Sequence, residues 1–213
     1  MNDENFSKHL FWDWASDNYR QVIVAVGNHE LYKYYDLAKI PKGLVCLIRE
    51  NVKCYYDAVV QIENVEFIIS TLWAKISLDE AYISECSISD FKRILYNGEM
   101  LTWDKFNQEH DKCIQFIQNE VSKSIADHII VVTHHAPSFQ LSSPDFAQSK
   151  LNGAFTVELA PYIENSPIEY WIYGHSHRNI DKVIGKTKCV SNQLGYVFHN
   201  EHFSFDLEKI IEL

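Results

Sequence analysis

Val22-Ile23-Val24-Ala25-Val26-Gly27-Asn28-His29-Glu30 is the stretch on which the fold turns. Its first five residues are apolar and mostly β-branched, stiff side chains that favour extended backbone. Ahead of them, Phe11, Trp12, Ala15 and Tyr19 have helical spacing over residues 11–19. A short apolar run after a helix and before a glycine reads as a strand buried on both faces of a parallel sheet. The pattern recurs twice. Residues 129–132 run into Thr133-His134-His135-Ala136-Pro137, and residues 170–173 run into Gly174-His175-Ser176-His177.

Working outward, residues 58–62 and 65–72 form an expected antiparallel pair turning at Glu63-Asn64. Residues 75–100 are mixed and polar, an irregular excursion with short helices. Residues 103–121 carry Phe106, Cys113, Phe116, Ile117 and Val121 along one helical stripe. Residues 183–184 and 187–190 flank Gly185-Lys186 as a hairpin, and residues 207–211 read as a short closing helix. Helices alternating with buried strands, then hairpins, indicate a single α/β domain over residues 1–213, built around two sheets.

Lys plus Arg total 19 against 29 Asp plus Glu in 213 residues, a formal charge of −10. That balance disfavours binding to duplex nucleic acid, which rests on neutralising phosphates. An acidic protein that handles anionic phosphates needs a bound cation to do so. No apolar run is long enough to cross a bilayer, and the polar, acidic N-terminus resembles neither a signal nor a transit peptide. Five cysteines without a C-x-x-C pair read as buried or free thiols in a reducing compartment, which places the chain in the cytoplasm. The oligomeric state is not legible.

The chemistry sits after the three buried strands. Carboxyl ends of strands in open α/β sheets gather loops around a crevice, and five of the ten histidines fall in these short stretches. Imidazole is the commonest side-chain ligand for transition metals, and an Asn carbonyl oxygen adds a neutral donor. His175 and His177, two apart in extended chain, project to the same side. His29, beside Asn28, faces away from a ligand role and is free for proton transfer. Taken singly, each stretch reads as well as a turn or a pair of satisfied strand-end histidines. The three in this order, each after a buried strand, point to a site.

The order Gly-Asn-His-Glu, then His, then Gly-His-x-His strongly resembles the calcineurin-like metallophosphoesterases. The resemblance covers nearly the whole chain and extends to Thr71-Leu72-Trp73, Thr133-His134-His135-Ala136-Pro137-Ser138 and Asn192-Gln193-Leu194-Gly195-Tyr196. It implies a four-layer αββα sandwich of two mixed β-sheets carrying a two-metal hydrolase site. Asn28, His134 and His175 would hold one divalent ion and His177 the other, the ions being Mn, Fe or Zn. His29 would be the catalytic acid that protonates the leaving oxygen of a phosphomonoester or phosphodiester of unknown identity. His135 would either line the phosphate pocket as a substrate-binding residue or only pack.

The chain departs from the family pattern at one end. An Asp-x-His motif and a Gly-Asp motif, expected on the first strands, have no counterpart before Gly27, so the domain reads as N-terminally truncated. Either the protein starts upstream of Met1, or this chain is a catalytically impaired relative that binds metal or a partner. The second reading implies one ion or none, little phosphatase activity, and an open apolar edge at residues 22–26 that invites association.

Overall fold

The computed structural model describes residues 4–143, 146 and 148–213. Met1, on which the reading of the start turns, lies outside them. Helices α1 (Glu4–Lys8) and α2 (Leu10–Asn18) lead into β1 (Val22–Ala25). Then come β2 (Tyr35–Asp36), β3 (Gly43–Arg49), β4 (Val52–Tyr56), β5 (Ala58–Ile62) and β6 (Val65–Ser70). Helices α3 (Leu78–Ser87) and α4 (Asp90–Arg93) precede β7 (Ile94–Tyr96) and β8 (Glu99–Met100). Helix α5 (Trp103–Lys123) is followed by β9 (His128–Thr133), α6 (Ala160–Glu164), β10 (Tyr170–Ile172), β11 (Lys182–Ile184) and β12 (Thr187–Val190).

Two mixed sheets carry the fold. The smaller has the order β1-β4-β3, and the larger β11-β12-β10-β9-β6-β5. In the larger sheet β6, β9, β10 and β12 run parallel, with β5 and β11 antiparallel at the margins. A third small sheet, β2-β7-β8, was not expected; it ties residues 35–36 to the polar excursion.

Alternation of side chains along each strand sorts the layers. Ile23, Ala25 and Tyr55 point toward Val60, Phe67, Ile69 and Val132, joining the two sheets face to face. The opposite face of the smaller sheet, Val24, Val52 and Cys54, packs with Trp12 of α2. The opposite face of the larger sheet, Ile68 and Val131, packs with Ile117 and Val121 of α5 and Ile163 of α6. The order of layers is therefore helix, sheet, sheet, helix, the αββα sandwich expected.

Two expectations need correction. Strand β1 is only half-buried along its length, because among the described residues it has a single neighbour, β4, at the margin of its sheet. The closing helix over residues 207–211 is absent. Leu207 is 88% exposed and Ile210 74%, so no apolar face is buried there to offset the cost of nucleating a helix. Instead Asp206 Oδ1 accepts the Glu208 amide, and Lys209 Nζ reaches Asp181. The β3–β4 hairpin also went unread.

At the mouth of the sandwich one residue stitches the sheets together. Thr71, just past β6, donates its hydroxyl to Val26 O at 2.6 Å beyond β1. Its carbonyl accepts the His134 and His135 amides beyond β9. Leu72 follows with φ of +48°, a strained conformation for a branched side chain that sharpens the turn there.

Candidate metal and catalytic centre

The loops after β1, β9 and β10 meet where Thr71 joins the sheets. Gly27 is required by that approach. A Cβ on it would lie 2.6 Å from His134 Cε1 and 2.7 Å from His134 Nδ1. Gly174 donates its amide to His134 O at 3.0 Å, linking the β9 and β10 loops. His175 and His177 then take φ of +65° and +49°. Two non-glycine residues held left-handed so close together cost of order 1–3 kcal/mol each, a kind of strain that clusters at functional sites.

Asn28, only 3% exposed, is fixed from both ends. Its Nδ2 donates to Asp90 Oδ1 at 2.8 Å, and the Tyr32 hydroxyl donates to the same oxygen at 2.7 Å. With the amide so oriented, Asn28 Oδ1 faces His134 Nε2 at 2.9 Å. An amide oxygen only accepts, so the His134 proton is assigned to Nε2. The His134 and His175 ring centroids are 4.7 Å apart. His29 packs on Tyr32 at 4.5 Å and exposes its ring. His177 Nδ1 lies 2.9 Å from Glu201 Oε2, and its amide donates to Gln193 Oε1 at 2.8 Å. A cavity of about 460 Å3 opens over Asn28, His29, His175 and His177.

His135 is placed elsewhere. It is fully buried, its ring 4.3 Å from that of His175 and 5.5 Å from that of Trp73. Its ring packs behind His175 and, like that of His134, is absent from the cavity lining.

Burial sets the protonation. It holds His134 and His175 well below the usual imidazole range, with neighbouring histidines pushing the same way. His135 is lowered to about 4 by burial, opposed by its bond to Thr71 O. His29 is lowered by partial desolvation, against the pull of Asp90 and Glu30. Asp90 is raised by burial, with the Tyr32 and Asn28 donors opposing. Glu201 is partly buried, which raises it, but the Tyr196 amide and His177 bring it below its ordinary value.

The donors suit one cation better than two. Asn28 Oδ1 and two neutral imidazoles are donor types that a first-row metal takes, with the His134 proton moved off Nε2 if that nitrogen is to ligate. In the structure the Asn28–His134 hydrogen bond holds two of these donors together. Among the described residues, no carboxylate joins them. Glu30 Oε2 accepts the Gly27 amide at 2.8 Å, Asp90 serves Asn28 and Tyr32, and Glu201 serves His177 and the Tyr196 amide. Among the described residues, no group of three or more His, Cys, Asp and Glu side chains is assembled to hold a metal ion.

Sequence reasoning missed Asp90, Tyr32, Glu201 and Arg178. Asp90 lies in the polar excursion, 62 residues from the Asn28 it orients, and nothing in its local pattern marks it. Arg178 follows the Gly-His-x-His stretch directly and lines the cavity. Its adjacency to the motif was the available signal.

The chain is 28% identical over 214 residues to Uncharacterized protein L509 of Acanthamoeba polyphaga mimivirus, covering 91% of this chain and 75% of that protein. A putative 5'-nucleotidase from Staphylococcus aureus, solved in complex with alpha-ketoglutarate, aligns with a TM-score of 0.43 and 16% identity. That alignment covers 88% of this chain, which spans about a third of the other's length, 34%. The family model for calcineurin-like phosphoesterases matches residues 4–179, a span that holds all three strand-end loops, and the chain belongs to that family.

Proposed function

We propose that the chain hydrolyses a phosphoester with the help of a divalent cation held by Asn28, His134 and His175. The observation that carries this reading is the convergence of Asn28, the neutral His175 imidazole and the exposed His29 at the floor of one cavity, with the buried neutral His134 hydrogen-bonded to Asn28 and packed on His175 behind them. When bound, such a cation supplies Lewis-acid stabilisation of the phosphoryl oxygens and lowers the pKa of a water. The chain's own residues do the rest. Asp90 and Tyr32 fix the Asn28 amide with its oxygen inward. Arg178 lines the cavity without a carboxylate partner among the described residues, and its planar donor set suits phosphoryl oxygens. His29, held against Tyr32, carries the proton that the leaving oxygen takes up as its bond to phosphorus breaks. His177, tied to Glu201, stands across the cavity as the remaining imidazole.

A second reading has its own support. With Glu30, Asp90 and Glu201 all engaged, the cation's charge is compensated only at a distance, which favours a phosphoester-binding relative of low turnover. One experiment separates the two. Hydrolysis of 4-nitrophenyl phosphate is measured with and without added Mn2+, in the native chain and in His175→Ala and His29→Ala. The hydrolase reading expects slow, cation-dependent turnover, abolished in His175→Ala and reduced by about 10²–10⁴ in His29→Ala. Absence of turnover with Mn2+, Fe2+ and Zn2+ alike, in a chain that still binds phosphate, leaves the binding reading.

A further inference from the structure

Each of three site histidines carries an aromatic ring. Tyr32 lies on His29 with centroids 4.5 Å apart, Phe155 stacks on His175 at 4.9 Å and 21°, and Tyr196 meets His177 edge-on at 4.7 Å and 85°. All three rings also line the 460 Å3 cavity, together with the apolar Ile88 and Leu151. None of them is fully buried.

We infer that this cavity selects small phosphoesters whose alcohol portion carries a planar aromatic group. The inference rests on the phosphoesterase reading and adds its substrate class. Its volume falls within the range of about 300–1,000 Å3 typical of small-molecule sites. A phosphoryl group held at the histidine floor leaves most of that space for the rest of the ester. Rings and the aliphatic Ile88 and Leu151 share the lining with small polar side chains and the carboxylates Asp90 and Glu201, and Arg178 is the cation that meets an anion. Flat rings offer offset-stacked and edge contacts to another flat ring, and they do so with little side-chain freedom to lose. A substrate ring seated between Phe155 and Tyr196 keeps the ester oxygen close to the floor, where His29 exposes its ring. In the reaction, the water oxygen forms the new bond to phosphorus and the ester P–O bond breaks. The released aryl-alkyl alkoxide takes its proton from His29, and the water's proton passes to solvent.

The test pairs substrates of similar leaving-group basicity, so that reactivity does not imitate recognition. With Mn2+ present, kcat/KM is compared for 2-naphthylmethyl phosphate and ethyl phosphate, and the ratio is followed in Phe155→Ala, Phe155→Leu and Tyr196→Ala. The proposal expects a preference of at least tenfold for the aromatic ester. Loss of one ring contact should cut that preference by about tenfold, mainly through KM, and Phe155→Leu should retain part of it. A variant that only disturbs His175 slows both substrates alike and leaves the ratio unchanged. Binding of the non-hydrolysable 2-naphthylmethylphosphonate, followed by naphthyl fluorescence, supplies a readout independent of turnover. Equal kcat/KM for the two esters, with no effect of Phe155→Ala or Tyr196→Ala on the ratio, overturns the aromatic pocket and leaves the phosphoesterase reading standing. Tight phosphonate binding that Phe155→Ala weakens, in a chain that hydrolyses neither ester, supports the pocket and overturns the hydrolase instead.

Discussion

The site is built from two halves held by different means. His134 and His175 follow β9 and β10, strands with a hydrogen-bonded neighbour on each side, whose Val131 and Trp171 are fully buried. The backbone ladder carries both loops up to their first residues, and further backbone bonds, from the His134 amide to Thr71 O and from the Gly174 amide to His134 O, tie them at the mouth. Asn28 and His29 follow β1, which pairs only with β4 and is half-buried throughout. There the position is set by side chains: Thr71 from beyond β6 to Val26 O, Asp90 from α4 to the Asn28 amide, and Glu30 of the same loop to the Gly27 amide. A ladder tolerates the loss of one side chain. A side-chain network fails when one member goes, because the partners left behind are buried without bonds.

The largest expected effect tests that difference directly. Asp90→Ala strands the Asn28 amide and the Tyr32 hydroxyl, with an expected stability loss of about 2–4 kcal/mol by denaturant titration. Divalent-cation affinity, read by calorimetry, should fall about 10–100-fold, as for other groups that orient a ligand. Asp90→Asn should recover part of the affinity. The matching deletion in the larger sheet is Thr133→Val, which strands the Trp171 Nε1 donor now 2.9 Å from the hydroxyl. Stability should fall there by about 1–3 kcal/mol, with cation affinity nearly unchanged because β9 still carries His134. Equal losses of affinity in the two variants would break the comparison.

The halves should also answer to pH in opposite senses. On the larger sheet, His135 is lowered from 6.5 to about 4. A depressed imidazole leaves the unfolded chain protonated first, so its contribution is full above pH 6.5 and is lost as pH falls toward 4, about 3 kcal/mol in all. His110, also lowered by burial, adds in the same direction. On the side of the smaller sheet Asp90 is raised by burial, as is Asp57 where the chain passes from β4 to β5. Their contribution is full below the ordinary carboxylate range and is lost as pH rises through their folded values. Unfolding free energies measured from pH 7 to pH 4.5 should fall less steeply in His135→Phe than in the native chain. A native-like pH slope in His135→Phe would show that this ring titrates normally.

How much of this the sequence disclosed follows from the same contrast. The three strand-end motifs, the buried β9 and β10, and α5 announce themselves because period and apolar run length are local signals. Asp90 does not, since its meaning is a hydrogen bond to a residue 62 positions away. Strands of two or three residues, such as β2, β7 and β8, are too short to show any period. The hairpin of β3 and β4 keeps Leu44 and Leu47 about half exposed, so its pattern is blurred. At residues 207–211 the apolar spacing is genuinely helical, and only the absence of a surface to cover decides against it. His135 was legible as a histidine after a strand, but its burial behind His175 is a tertiary fact.

The smallest expected effect changes no contact and measures the open margin itself. Val22 and Val26 donate their amides to Asn51 O and Tyr55 O of the adjoining β4 segment. By the alternation of a parallel ladder, the amides of Ile23 and Ala25 face the other way, where no described strand pairs with β1. Amide hydrogen exchange on dilute protein should therefore find Ile23 and Ala25 close to unprotected. The Val131 and Trp171 amides, inside the larger sheet, should exchange only on global unfolding. An apolar margin with free donors is also a template for pairing with a second strand. Raising the protein concentration should then slow exchange at Ile23 and Ala25 without changing Trp171. Strong protection at Ile23 and Ala25 that does not vary with concentration would mean the margin is closed within the chain. In that event Asn28 and His29 would stand on support as firm as the other half's, and the asymmetry between the two halves would disappear.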